Sequence, residues 1–280
     1  ASTPSRAPAP VANAPAVAIP DAQAIEEARF AAESARSLAE LRTAMEGFAG
    51  CNLRNSARNL VFAEGDAASG IMIVGPMPYA DDDRDGQPFA GRLGDMLSRM
   101  IAGIGLTREG VLLSNVVPWR PPGNRVPTAR EADICRPFIE RQIALAEPKH
   151  LLLLGNFTAR FFFGGNDTIH QLRGEWRELA IGGITVPTLA TLHPQDLVTA
   201  PINKRFVWQD LLAFKAEAES DFAALVGLEA GTLRVGDVTA QSIEIGVETV
   251  GAEAADEEDG DQAQRTQDAD DDGHAPVHAG

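Results

Sequence analysis

The chain has 280 residues, a length that allows one sizeable domain with extensions or two small domains. Its formal net charge is −16, but the acidic residues are concentrated at the carboxyl end. Residues 216–280 carry 2 Lys+Arg and 17 Asp+Glu, whereas residues 51–215 carry 18 and 17. A uniformly acidic protein would be a poor nucleic-acid binder, but this nearly neutral central part does not exclude such a partner.

The cysteine content and the hydropathy pattern indicate the compartment. The chain contains 2 cysteines, Cys51 and Cys135, which is too few for a disulfide framework. No apolar run reaches the length of a membrane span. Residues 1–20 are rich in Ala and Pro and lack the compact apolar block of a signal peptide. We therefore expect a cytoplasmic protein that makes no contact with a membrane.

Both ends of the chain have the composition of extensions to a central domain. Residues 1–20 form an Ala/Pro-rich segment that we expect to be disordered, and residues 21–49 read as a helical extension capped by Asp21. Residues 227–250 show a weak alternation typical of a small β segment. Residues 251–280 are acidic and polar, which predicts a disordered tail. The central domain is therefore expected over residues 50–226.

Within residues 50–226, apolar runs alternate with helical patterns. Four runs read as buried strands: residues 71–74, 111–117, 150–154 and 184–192. The segments between them, residues 93–104, 128–146 and 156–163, read as helices. This alternation predicts right-handed βαβ units. We expect an α/β fold, a doubly wound four-stranded parallel sheet flanked by helices, with disordered tails.

Each of the four predicted strands is followed by a loop that carries polar or aromatic side chains. In a doubly wound sheet these strand ends face one crevice, where ligands bind. Phe89, Asn115 and His193 are therefore expected to converge although they are far apart in the sequence. Each also has an alternative interpretation without function: a core aromatic for Phe89, a loop-capping residue for Asn115 and a turn histidine before proline for His193.

Motifs in these loops resemble those of the family 4 uracil-DNA glycosylases, in the same order along the chain. The resemblance covers roughly residues 50–215. Its most specific part is the run Trp119-Arg-Pro-Pro-Gly-Asn-Arg125 followed by Pro127-Thr128. The other matching segments are residues 75–92, 115–118, 135–138, Gly155, Arg173-Gly174, His193-Pro194 and residues 201–210.

The resemblance implies a role for each of the converging residues. The family removes uracil from DNA by flipping the nucleotide out of the helix and stabilising the uracil anion that leaves. Phe89 would stack on the base beside Gly75, Asn115 would read its amide edge, and His193 would hydrogen-bond the developing anion at O2. No lysine in the matched motifs is placed for Schiff-base chemistry, so a monofunctional hydrolase of the N-glycosidic bond is expected.

Four basic residues in or beside the matched motifs are candidate DNA contacts. The resemblance implies that Arg120, Arg125, Lys204 and Arg205 contact phosphates or shape the DNA-facing surface. The alternative is that they are solvated surface charges.

The first motif departs from the family pattern at two positions. The family's Glu is replaced by Pro76, which has neither a carboxylate nor a backbone N–H. Asp81, Asp82 or Asp83 is a candidate partial substitute for that carboxylate, and Asp82, which stands where the family often has a second Glu, is the candidate catalytic residue. The alternative is that all three are loop or helix-capping acids. Tyr79 replaces a Gly, where it either excludes thymine from the pocket or simply fills space.

A second departure concerns the four-iron, four-sulfur cluster of the family. Four cysteines hold that cluster, but this chain keeps only two of those positions, Cys51 and Cys135. Arg54 and Trp119 occupy the others. Because two thiolates cannot hold a cubane cluster, we expect no cluster and no other metal, and we regard the two cysteines as vestigial cluster positions.

The sequence leaves three functional hypotheses. The first is a cluster-less uracil-DNA glycosylase of base excision repair that acts on uracil-containing DNA. The second is a catalytically weakened relative that binds DNA or a protein, with the acidic tail of residues 251–280 as a partner-binding or self-masking arm. The third is a glycosylase for another deaminated base, because Tyr79 reshapes the pocket.

Overall fold

A mixed six-stranded sheet is the centre of the fold. The computed structural model describes residues 21–225. In these residues the strand order is β1-β3-β2-β4-β6-β5. The strands are β1 (Glu64–Gly65), β2 (Ile71–Gly75), β3 (Leu112–Asn115), β4 (His150–Leu154), β5 (Trp176–Ile181) and β6 (Ile184–Thr191).

The four central strands are parallel, and they are the four apolar runs of the sequence. β2 pairs with β3 and with β4, and β4 pairs with β6, all in parallel. Every residue of β4 is buried, as expected for a strand covered by helices on both faces. The predicted α/β class with a four-stranded parallel sheet is therefore confirmed.

Two antiparallel edge strands extend the sheet beyond that prediction. β1 is only two residues long and pairs with β3. β5 pairs with β6 as a hairpin across the turn Gly182-Gly183. The sequence of β5, Trp-Arg-Glu-Leu-Ala-Ile, is interrupted by two charged residues, and most of the strand is partly exposed. It therefore lacks the apolar run by which the other strands were found.

Helices cover both faces of the sheet. Their bounds are α1 (Asp21–Ser34), α2 (Leu38–Gly47), α3 (Leu53–Ser56), α4 (Ala80–Asp85), α5 (Gly91–Ala102), α6 (Ala129–Ala146), α7 (Gly155–Phe163), α8 (Ile169–Leu172), α9 (Pro194–Thr199) and α10 (Lys204–Leu225). Local sequence sets several of these ends. For example, Thr128 and Glu131 form a reciprocal capping box at the start of α6. None of the helices between residues 21 and 225 is long and apolar enough to cross a membrane.

The N-terminal extension consists of two helices that pack on the domain. Ala24, Ala28 and Ala32 of α1 recur every four residues and are buried. The small side chains let α1 approach α6 closely, and Arg141 of α6 donates two hydrogen bonds to the Ala35 carbonyl oxygen. The helix breaks at residues 35–37 because the Ser37 hydroxyl accepts the Glu40 N–H and caps α2.

The compact unit that carries the sheet extends to Phe222, and a second unit begins at Ala223. The predicted Ala/Pro segment of residues 1–20, the β segment of residues 227–250 and the acidic tail of residues 251–280 lie outside the described residues.

Candidate functional site

The carboxyl ends of the four parallel strands bring the predicted site residues to one edge of the sheet. Gly75 at the end of β2 is the direct partner of Asn115 at the end of β3. Leu154 at the end of β4 pairs with Thr191 of β6, so Gly155 and His193 follow side by side. The four loops thus meet at one place.

Gly75 is in close contact with two of these side chains, Asn115 and Phe89. A Cβ atom at this position would lie 2.6 Å from Asn115 Oδ1 and 2.6 Å from Phe89 Cζ. Real Cβ atoms do not approach other heavy atoms so closely, so any larger residue would displace both side chains. Glycine is therefore required for the carboxamide and the aromatic ring to lie together.

Phe89 is held in a backbone conformation that side chains rarely adopt. Its φ is +54° and its side chain is buried, a combination that needs support from the surroundings. Arg108 provides it by donating a hydrogen bond of 2.8 Å to the Phe89 carbonyl oxygen and another to Pro88 O. Gly94 leaves room on the other side, since a Cβ there would lie 1.7 Å from Phe89 O.

His193 is buried and held in one tautomer. The backbone N–H of Gln195 donates to His193 Nδ1 at 3.1 Å, so in the neutral ring Nε2 carries the proton. Burial lowers the pKa of His193 from 6.5 to about 3, because the charged imidazolium would lose its hydration. The ring is therefore a neutral hydrogen-bond donor at physiological pH.

Tyr79 and Phe89 flank the imidazole of His193. The Tyr79 ring is stacked on it, with 5.5 Å between centroids and 21° between planes. The Phe89 centroid lies 6.0 Å from that of His193. Burial raises the pKa of the Tyr79 hydroxyl, and the nearby carboxylates of Asp196 and Asp82 raise it further. Tyr79 therefore stays neutral and forms one wall of the site.

Asn115 has a polar atom without a partner. The residue is buried, and its Nδ2 forms no hydrogen bond with any group in the described part of the chain. A buried amide N–H without a partner is costly, and such an atom at a functional site is explained by a ligand or water that completes it. Asn115 can thus donate to a carbonyl oxygen of a bound molecule.

The three adjacent acids of the first loop are all engaged. Asp82 accepts hydrogen bonds from the N–H groups of Tyr79 and Ala90, at 2.9 and 2.7 Å. Desolvation raises its pKa, although these two bonds oppose the shift. Asp82 thus fixes the loop that carries Tyr79 and Phe89, and a catalytic role for it stays a prediction.

The neighbours of Asp82 are also occupied. Asp83 accepts hydrogen bonds from the N–H groups of Arg58 and Asn59. Asp81 forms a salt bridge of 2.8 Å with Arg84 at the surface. None of the three carboxylates therefore stands free to replace the carboxylate missing at Pro76.

The four residues predicted to contact DNA differ in whether their charged groups already have partners in the protein. Lys204 and Arg205 are exposed at the start of α10. Arg125 is paired with Glu131 through hydrogen bonds of 2.8 and 2.6 Å, which lower the pKa of that carboxyl to about 2. Arg120 donates to Asn124 Oδ1 at 2.7 Å. Lys204 and Arg205 therefore offer the more available charge to an anionic partner.

The residues around Cys51 and Cys135 do not fit a four-iron cluster. Both thiols are buried and unpaired by a disulfide, and the hydrogen bond between them lowers the pKa of Cys51 and raises that of Cys135. Arg54 donates to the carbonyl oxygens of Glu46 and Phe48. Trp119 is buried and stacks on Phe48, so arginine and indole fill the places where further thiolates would be needed.

Metal-binding groups are also missing elsewhere in the described part. Within residues 21–225, no three His, Cys, Asp or Glu side chains are grouped so that they could hold a metal ion.

A largely buried ion pair supports the His193 loop. Arg173 donates two hydrogen bonds to Asp210, at 2.9 and 2.6 Å, and Thr191 donates a third at 2.5 Å. Thr191 lies two residues before His193, so the cluster ties the end of β6 to α10. Arg173 and Asp210 both lie in segments that match the family, but they are 37 residues apart and nothing in the sequence indicates that they pair.

Comparisons with known proteins agree with this geometry. A sequence profile described as "Uracil DNA glycosylase superfamily" matches residues 62–212. The chain is 35% identical to the Type-4 uracil-DNA glycosylase of Archaeoglobus fulgidus over 176 residues, which are 61% of this chain and 83% of the relative. It is 35% identical to that of Thermotoga maritima over 58% of this chain and 84% of the relative. Identity to the Pyrobaculum aerophilum protein is 31%, over 59% and 86%.

Proposed function

Because this chain belongs to the uracil-DNA glycosylase superfamily, we propose that it is a monofunctional DNA-repair glycosylase that hydrolyses the N-glycosidic bond of uracil in DNA. The observation that carries the proposal is the convergence of Asn115, Phe89 and a neutral His193 at the carboxyl edge of the sheet. Named relatives with the same activity support it.

Each residue has a definite task in this reaction. The flipped uracil stacks on the Phe89 ring, and the Asn115 carboxamide donates Nδ2–H to a base carbonyl while Oδ1 accepts the imide N–H. As the glycosidic bond breaks, the electron pair moves onto the base. His193 Nε2–H then donates to O2 of the uracil anion, and this bond is strongest in the transition state.

A neutral histidine suits this task better than a charged one. An imidazolium buried at the site would lose its hydration, and the low pKa of His193 avoids that cost. The backbone N–H of Gln195 fixes the ring before the substrate arrives, so little reorganisation is needed when charge develops.

Water adds to C1′ of the sugar, and its proton passes to the departing uracil anion or to solvent, so the attacking water has no dedicated base in this proposal. Pro76 has no carboxylate, and Asp81, Asp82 and Asp83 are engaged with Arg84 or with backbone N–H groups. We therefore expect leaving-group stabilisation to carry most of the catalysis. The same observation favours the second candidate, a relative that flips and binds uracil but cleaves slowly or not at all.

Further parts of the proposal concern the setting of the enzyme. We place it in the reducing cytoplasm, which the two free thiols Cys51 and Cys135 support. We infer that it works without an iron–sulfur cluster, which the packing of Arg54 and Trp119 supports. Purified protein should then contain less than one iron per chain and show no absorbance band near 400 nm; a brown, iron-loaded protein would contradict this.

The activity is tested by incubating the protein with an oligonucleotide that carries one uracil and then treating it with alkali. The variants are His193→Ala and Asn115→Ala, with His170→Ala as the control because His170 is exposed. We expect alkali-dependent cleavage by the wild type and the control, and a loss of 10²- to 10³-fold in single-turnover rate in the two site variants, as for removal of one transition-state hydrogen bond donor.

The outcomes separate the candidate functions. No cleavage by the wild type, with retained binding to the same DNA, would favour the weakened binding relative. Cleavage before alkali would contradict a monofunctional enzyme. Release of hypoxanthine or xanthine in preference to uracil would favour a glycosylase for another deaminated base. Absence of both cleavage and binding would refute the site assignments.

A further inference from the structure

A groove that the proposed chemistry does not use runs between α5, α9 and α10. Its volume is about 570 Å³. Its floor is apolar, built from Met96, Met100 and Leu197, and one side is the indole of Trp208. Methionine side chains adapt their shape to what they contact, so this floor can accept a flat or irregular group.

Trp208 presents an aromatic surface to solvent. It is 47% exposed, whereas Trp119 is buried and Trp176 is packed against Phe214. One edge of the indole packs against the backbone, because its six-membered ring lies against Gly103, where a Cβ would be 2.8 Å from Trp208 Cζ3. This contact restricts the ring on one side, which reduces the conformational entropy that the side chain loses when a partner stacks on it.

The charge of the groove is positive. Arg99 and Lys204 line it, and among the described residues no Asp or Glu does. The complementary partner is therefore an anion with flat apolar groups. Cations that track a backbone, combined with an aromatic side chain on which bases stack, are the features of sequence-independent binding of single-stranded nucleic acid.

The groove lies between helices that start at the candidate uracil site. Helix α5 begins at Gly91, two residues after Phe89, and His193 is the N-cap of α9. Leu197 of α9 lines the groove, and Lys204 begins α10. A strand whose flipped base stacks on Phe89 would have its neighbouring nucleotides close to these helices. The positive lining and the nearness of the site together favour DNA over an acidic protein segment, which has no reason to bind beside a uracil site.

We propose that this groove binds a single-stranded stretch of DNA beside the target uracil, with Trp208 stacking on a base and Arg99 and Lys204 contacting phosphates. The inference rests on the proposed function, because it takes the DNA from the same strand that supplies the uracil. It makes single-stranded DNA, or a locally opened duplex, the favoured substrate class.

Binding can be measured without any uracil chemistry. The probe is a fluorescein-labelled oligothymidylate of about 12 nucleotides, compared with a labelled hairpin duplex, both free of uracil. The variants of the full chain are Trp208→Ala and Trp208→Phe, with Phe30→Ala as a matched control, because Phe30 is another exposed aromatic, on α1. Urea unfolding of each variant checks that the fold is retained.

We expect Trp208→Ala to weaken binding of the oligothymidylate about tenfold, as for loss of one base stack, and to change binding of the hairpin by less than about twofold. Trp208→Phe should restore most of the affinity, since a phenyl ring also stacks. Phe30→Ala should have no effect. The oligothymidylate should also quench tryptophan fluorescence in the wild type and not in Trp208→Ala.

The charges are tested by salt dependence. Each of Arg99→Gln and Lys204→Gln should reduce the slope of log affinity against log salt by about 0.7, the value for one phosphate contact on a single strand. An unchanged slope in both variants would contradict the phosphate contacts.

Two results would overturn the inference. One is equal affinity of the wild type and Trp208→Ala for the oligothymidylate. The other is quenching of Trp208 by a synthetic peptide of alternating Glu and Leu but not by the oligothymidylate, which would make the groove a protein-docking surface. If the wild type releases no uracil and yet binds the oligothymidylate through Trp208, the proposed function fails and the DNA groove stands.

Discussion

Replacing His193 by Asn should change how the stability of the protein depends on pH. An unfolded chain protonates this histidine with a pKa near 6.5, whereas burial holds the pKa at about 3 in the folded chain. The stabilisation is therefore complete above pH 6.5 and is lost as the pH falls from 6.5 towards 3, because the unfolded state takes up a proton that the folded state refuses.

The size of this loss of stability follows from the difference between the two pKa values. Between pH 6.5 and pH 5 the unfolded state gains about 1.4 kcal/mol per pH unit relative to the folded state, or about 2 kcal/mol in all. Asp82, Asp196 and Asp210 also have shifted pKa values, all raised by burial. Their contributions are common to the wild type and the variant, so the difference between the two isolates the imidazole.

Asn is the matched replacement because it keeps the local structure. The Nδ1 atom of His193 accepts the Gln195 N–H at the start of α9, and Asn is among the best N-cap residues, with Oδ1 as the acceptor. The assay is urea unfolding of both proteins at pH 7.5 and pH 5.0. The wild type should lose about 2 kcal/mol more than His193→Asn between these values. Equal losses in the two proteins would refute the neutral buried histidine, and the donor to the leaving base would then be an imidazolium.

Three further substitutions test how the site is built. Gly75→Ala should reduce single-turnover excision about 100-fold, as for a displacement of about 1 Å at a reacting centre. The control Gly47→Ala has nothing within 4 Å of the new Cβ and should have no effect. Equal rates for Gly75→Ala and the wild type would mean that the carboxamide and the aromatic ring do not need their present positions. Asp210→Asn should lower the free energy of unfolding by about 3 kcal/mol, because it leaves the largely buried guanidinium of Arg173 without its charged partner. A loss below about 0.5 kcal/mol, measured by urea unfolding, would show that the pair is dispensable. Tyr79→Gly should allow slow release of free thymine from thymine-containing DNA, measured by chromatography of the bases; uracil excision without any thymine release would mean that Tyr79 only fills space.

The fold was predictable where the sequence pattern had one structural interpretation. Residues 151–154 are apolar on both faces, and the predicted strand of residues 150–154 has the bounds of β4. The two edge strands were missed because β1 has only two residues and β5 mixes polar and apolar side chains without regular alternation. An edge strand needs burial on one face at most, so its composition carries little signal.

Within the site, the sequence predicted which loops meet but not how their backbones are held. That Phe89, Asn115 and His193 lie together follows from the rule for strand ends. The positive φ of Phe89 and its support by Arg108, 19 residues further along the chain, depend on contacts that no local pattern records. Their proposed roles toward uracil stay predictions until the variants are assayed.

The three consecutive acids illustrate the same limit and bear on mechanism. In the sequence, Asp81, Asp82 and Asp83 are all candidates for the carboxylate missing at Pro76, and only the resemblance favours Asp82. In the fold, Asp82 and Asp83 accept backbone N–H groups and Asp81 pairs with Arg84, so each already stabilises the loop. A carboxylate that must release such bonds to activate water would destabilise the very loop that positions Phe89 and Tyr79. Catalysis therefore depends mainly on stabilisation of the leaving group. We expect the rate of excision to depend on the strength of the hydrogen bonds that His193 and Asn115 make to the departing base.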